Sequence, residues 1–110
     1  MTSLTGTPNQ IEWANEIRPR VGAEFDRVAK AFHEVSASQA ERDRNDTLAV
    51  IAILEEKRLE VMARTSAGYF IEAWQELGAQ VRQLIAADPR YQAIKAARAV
   101  RDLQETQHAI

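Results

Sequence analysis

The chain has 110 residues, 45% of them hydrophobic and 27% charged, with no cysteine. A domain of this size buries roughly two-thirds of the surface its unfolded chain exposes, so a core is available without metal or disulfide staples. The composition is wrong for a disordered chain; the missing thiols exclude a disulfide framework, a thiolate metal site and a cysteine nucleophile; and a net charge of −2 lacks the basic footprint of a nucleic-acid binder.

The first six residues read as a flexible tail unless Leu4 packs. Thr7-Pro8-Asn9-Gln10 then combines a capping threonine, a proline at the first helical position and a glutamine at the third, a capping box that starts a helix. Pro19 removes a backbone hydrogen bond, so a break or kink is expected between Arg18 and Arg20, leaving a short leading helix. Val21, Phe25, Val28, Phe32 and Val35 step by four and three along one face of the next segment. Ser38-Gln39-Ala40-Glu41 repeats the capping logic, with Asn45 and Asp46 as a point where the following helix could be interrupted. Leu48–Leu54 has the composition of a buried strand, but its charged continuation to Arg64 favours helix and no partner strand is in sight.

Ser66 caps a further helix in which Phe70, Trp74, Leu77, Val81 and Leu84 share a face. Asp88-Pro89 opens the last one, which places Ala93, Ile94, Ala96, Ala97, Val100 and Leu103 on a broad, alanine-rich face that lets a neighbouring helix come close. The expectation is one all-α domain over residues 1–110, a compact bundle of four principal helices plus a short N-terminal helix. The opening residues carry neither the basic region nor the apolar stretch of a signal peptide. The longest apolar run, seven residues at Leu48–Leu54, is far short of the ~20 of a membrane helix. A cytoplasmic protein with no membrane segment is expected.

Catalytic and metal chemistry find little footing. The two histidines, His33 and His108, have no zinc-protease spacing around them, and His33 has only Ala29 and Ala37 one turn away. There is no nucleophile elbow, no phosphate-binding glycine loop, and no Glu-x-x-His pair for a diiron site. No enzyme, no cofactor and no metal is the expectation. The charge is uneven: residues 1–77 hold 9 basic and 13 acidic side chains, and residues 78–110 hold 5 and 3. Arg82, Arg90, Lys95, Arg98 and Arg101 form the positive group, which reads either as a solvated helix exterior or as a grip for phosphate; direct nucleic-acid binding is not expected.

Three glutamate pairs, Glu12 with Glu16, Glu56 with Glu60 and Glu72 with Glu76, set like charges one helical turn apart, at a cost of a few tenths of a kcal/mol each unless compensated. Arg20 and Arg64 stand where they can relieve Glu16 and Glu60, while position 80 is glutamine and offers Glu76 no cation. Such pairs are either ordinary soluble surface or an acidic patch for a basic, nucleic-acid-binding partner; Glu56, Glu60, Glu72 and Glu76 are the candidate partner-binding residues. Trp13 and Trp74, at helical spacing from Ile17 and Phe70, read first as core and second as interface anchors.

Residues 4–18, Leu-Thr-Gly-Thr-Pro-Asn-Gln-Ile-Glu-Trp-Ala-Asn-Glu-Ile-Arg, resemble a recurrent opening of small bacterial and phage proteins, roughly Gly-Ser/Thr-x-Lys-Gln-Ile/Val-x-Trp-Ala-x-x-Ile-Arg. Asn9 stands where lysine is usual. That family tends to carry Asp-Ala-x-Trp-Trp-Ile-Asp about fifty residues later, and Ser66-Ala-Gly-Tyr-Phe-Ile-Glu72 is a degenerate counterpart. One protein with a similar opening is an anti-CRISPR inhibitor of a type I system. The resemblance implies a phage or mobile-element inhibitor that occludes a bacterial defence complex by stoichiometric protein binding, with a CRISPR effector complex as the named candidate partner. It transfers no catalytic or ligand residue. The other reading is a self-associating assembly module, monomer or homodimer, pairing through the last helix or through Leu48–Leu54.

Overall fold

A computed structural model describes residues 3–108, with side chains described to Glu105. It holds five helices: α1 (Pro8–Ala37), α2 (Glu41–Met62), α3 (Ala67–Ala73), α4 (Leu77–Ala86) and α5 (Pro89–His108). The chain is all-α; among the described residues the only β-type pairing is a single parallel bridge, Thr5 to Ser66. Helices of up to 30 residues laid side by side give a bundle of 65 × 23 × 19 Å.

Local capping chemistry sets three of the helix starts. At α1 the Thr7 hydroxyl accepts from the Gln10 N–H at 3.2 Å, and the Gln10 side chain accepts from the Thr7 N–H at 3.0 Å. Ser66 accepts from the Tyr69 N–H at the head of α3, and the Asp88 carboxylate accepts from the Arg90 N–H at the head of α5. Ser38 does otherwise: its hydroxyl donates to the Val35 carbonyl and closes α1, while α2 starts at Ala40 with no side-chain cap. Glu41 and Asp43 meet the positive end of α2 instead. Asn45 and Asp46 interrupt nothing.

The short helix lies elsewhere than expected. Pro19 sits exposed inside α1, which runs through it without a break. Residues on both sides hold the helix to the bundle, with Ala14, Val21 and Phe25 buried and Arg18 donating to the Met62 carbonyl at 2.6 Å. The break falls instead in the segment from Ser66 to Ala87, where Trp74 leaves helical geometry (φ −114°, ψ 34°) and divides α3 from α4. Its ring is buried against Phe25 with centroids 5.6 Å apart. The amino-terminal residues are not a free tail from Ser3 onward: Leu4 is buried in the core, and Thr5 exchanges backbone hydrogen bonds with Thr65 and Ala67. Met1 and Thr2 lie outside the described residues.

The core joins Val21 and Phe25 of α1, Val50, Leu54 and Val61 of α2, Phe70 and Trp74, and Val81 and Ile85 of α4. α2 lies along one side of α1, and α3 with α4 along another. The run Leu48–Leu54 is central to the bundle, with Val50, Ile51, Ile53 and Leu54 buried. α5 runs antiparallel to α2 and is tied to it by ion pairs along its length: Asp88 to Lys57, Arg90 to Glu56, Arg101 to Asp46 and Asp43, and Glu105 to Arg42.

Candidate functional site

The two segments that carry the family resemblance meet in space, although some fifty residues separate them in sequence. Beyond the Thr5–Ser66 bridge, Gly6 (φ +150°) presses against Ala67, where a β-carbon would come within 3.1 Å of the Ala67 methyl. The Arg18 guanidinium lies 5.9 Å from the centroid of the Phe70 ring while it bonds the end of α2. Ala14 and Ala67 are fully buried. These residues form a clasp that fastens the chain start to the α2–α3 turn, so most of the motif has a structural task.

Trp13 does not share that task. It is 57% exposed on α1, contrary to the expectation of a core position. Alternation along the helix puts Ala14 and Ile17 toward the bundle and leaves the indole at the rim of a recess of about 300 Å³, lined also by Ile17, Arg20, Ile71, Trp74, Gln75 and Leu77. Trp74, at the back of this recess, is 2% exposed, and its indole N–H finds no hydrogen-bond partner among the described residues. Each tryptophan stands one turn from an apolar neighbour, so both read as core, although only Trp74 belongs to a longer apolar series.

The four candidate glutamates do not form one patch. Glu56 is in an ion pair with Arg90 and stands with Glu60 on α2, whereas Glu72 and Glu76 stand on α3 and just beyond it, on the other flank of α1. Glu60, Glu72 and Glu76 are exposed, and no ion pair among the described residues involves them. Arg64 stacks over the Tyr69 ring at 4.6 Å. Glu72 and Glu76 directly follow Ile71 and Gln75 in sequence, two residues of the Trp13 recess, but the charged side chain that lines the recess is Arg20.

The basic group is divided as well. Arg90 and Arg101 are taken up by carboxylates of α2 and by Asp88, and Arg98 is half-buried beside Tyr91 and Ile94. The Arg90 guanidinium, its backbone N–H and Lys57 hold the Asp88 carboxyl far below the usual carboxylate range. Among the described residues no group of three or more histidine and acidic side chains could hold a metal ion. His33 is exposed, and the His108 side chain lies outside the described residues. No described helix is long and apolar enough to cross a membrane.

A larger trough of about 440 Å³ runs between α1 and α4, lined by Val28, Ala31, Phe32 and Val35 with Arg27 and Arg82. It brings together no acid–base pair or nucleophile. Comparison of the chain with protein-family models, with curated proteins and with solved structures finds no match.

Proposed function

We propose that this protein acts by binding a partner protein in fixed stoichiometry, and that it docks through the Trp13 recess, with the exposed Glu72 and Glu76, sequence neighbours of its lining residues, adding charge to the contact. The observation that supports this reading is the exposure of Trp13 inside a motif whose neighbours are occupied in holding the clasp. A large aromatic at the rim of an apolar recess is the kind of anchor that dominates interface energetics. The exposed carboxylates of Glu72 and Glu76 favour a basic surface on the partner and discriminate against an acidic one.

The specific form implied by the resemblance is an inhibitor of a bacterial defence complex, anti-CRISPR-like, that occludes a basic nucleic-acid channel or a subunit interface. Its test is capture of purified type I and type II CRISPR effector complexes by the tagged protein. Retention of one effector in stoichiometric amount, lost on adding target DNA, is the expected result. Trp13→Ala should weaken that capture by about 30-fold, the equivalent of a ~2 kcal/mol hot spot, with thermal stability little changed because the side chain is exposed. Glu72→Lys with Glu76→Lys should weaken it at unchanged helicity. Retention of no effector discards the inhibitor form; capture that ignores all three substitutions discards this docking site.

A further inference from the structure

The last helix carries a second surface, on the side of the molecule that its own bundle leaves open. Tyr91, Ile94 and Arg98 of α5 turn inward, and Arg101 reaches the carboxylates of α2. The opposite side presents Ala93, Ala96, Val100 and Leu103, spaced by three, four and three residues, and all four are exposed. Val100 is 54% and Leu103 64% exposed. This is the spacing of a coiled-coil seam, and no other described helix covers it.

We infer that this seam pairs with the same seam of a second copy, antiparallel, about a two-fold axis at the level of residue 98. Two features point to that occupant and that direction, and a third sets the strength of the pairing. The first is size: the small residues lie in the first half of the seam and the large ones in the second. Antiparallel pairing sets Leu103 against Ala93 of the other copy and Val100 against Ala96, so every layer joins a large side chain to a small one. Parallel pairing would set alanine on alanine at one end and leucine on leucine at the other, and the helices could not keep one separation.

The second feature is charge. The positions flanking the seam are Gln92, Ala97, Ala99 and Gln104, whereas Lys95, Arg98, Arg101, Asp102 and Glu105 fall on other faces at 100° per residue. A face without charge pays no like-charge penalty against itself and offers a charged partner nothing. The third is area. Ala93 to Leu103 spans about 15 Å of helix, a smaller patch than the ~800 Å² per partner of a standard interface, so the dimer forms and dissociates with concentration. Trp13 is on α1 and takes no part, so this inference stands apart from the partner-binding reading.

The test is sedimentation equilibrium of the whole chain from about 10 μM to about 1 mM, with cross-linking to read direction. The weight-average mass should climb from 12.4 kDa toward twice that value. Leu103→Glu, at an exposed position, should weaken association at least about tenfold with an unchanged circular dichroism spectrum, and Trp13→Ala should leave association as it is. Because the chain has no cysteine, single-cysteine variants report direction cleanly. Ala93→Cys mixed with Leu103→Cys should form a disulfide-linked heterodimer on oxidation, and neither should link to itself. A monomer at every concentration, a dimer indifferent to Leu103→Glu, or self-linking of Ala93→Cys would each overturn the proposal.

Discussion

Gly6 shows how a single position can decide whether two distant segments join. Its φ of +150° lies where side-chain-bearing residues are strained, and a β-carbon there would meet the Gln10 Oε1 atom at 3.0 Å and the Ala67 methyl at 3.1 Å. Gly6→Ala should therefore destabilise the protein by about 1–3 kcal/mol, measured as a lower thermal midpoint with the helical spectrum of the remaining native state unchanged. An effect under about 0.5 kcal/mol, the usual span of a neutral surface change, would mean that the clasp contributes little to stability. Trp13 is the counter-case at the same scale. It stands in the same motif, yet its exposure means that removing it should affect binding before folding.

At the scale of elements, α1 is the spine on which α2, α3 and α4 pack, and it bears its own weak point. Pro19 supplies no N–H to the carbonyl of Asn15, and its ring crowds that carbonyl, a defect worth about 3 kcal/mol in a helix interior. Packing on either side, with Arg18 bonded to Met62, outweighs it. Pro19→Ala should raise stability by about 1–3 kcal/mol, somewhat less than the full defect because proline also restricts the unfolded chain. The urea midpoint would show this. No gain would mean that α1 bends around the proline at little cost.

At the scale of the whole molecule, α5 depends on charge more than the other helices do. Among its described side chains only Tyr91 and Ile94 pack as hydrophobics against the core, both half-buried, and ion pairs tie the helix to α2. Asp88 anchors this arrangement: its carboxylate caps α5 and reaches Lys57 on α2 at 3.3 Å. Its pKa is depressed, chiefly by the Arg90 guanidinium, so the folded state favours the ionised form. The stability it contributes is whole above the ordinary aspartate value of about 3.9 and is lost as acid titrates the folded carboxyl. Asp88→Asn should lower the urea midpoint by a constant amount between about pH 8 and about pH 5, with the gap from wild type closing below about pH 4. A gap that stayed constant in acid would mean that the carboxylate's charge is not what holds α5.

Local pattern was enough for the helical class and for the starts at Thr7, Ser66 and Asp88, but not for the division into five helices, where the break expected at Pro19 falls at Trp74 instead. Those signals act between residues two or three apart, so neighbours suffice to read them. Periodicity likewise identified Val21, Phe25, Phe70, Trp74 and Val81 as inward-facing. Tertiary structure decided what local pattern leaves open: whether packing carries α1 through Pro19, where Trp74 divides α3 from α4, and that Ser38 closes a helix instead of opening one. It also decided the surfaces that matter for function. Which tryptophan is covered, whether Glu56 meets a cation from another helix, and which side of α5 has a neighbour all depend on contacts across tens of residues. Helical spacing says only that a face is apolar; the arrangement of the other helices says whether anything is there to cover it.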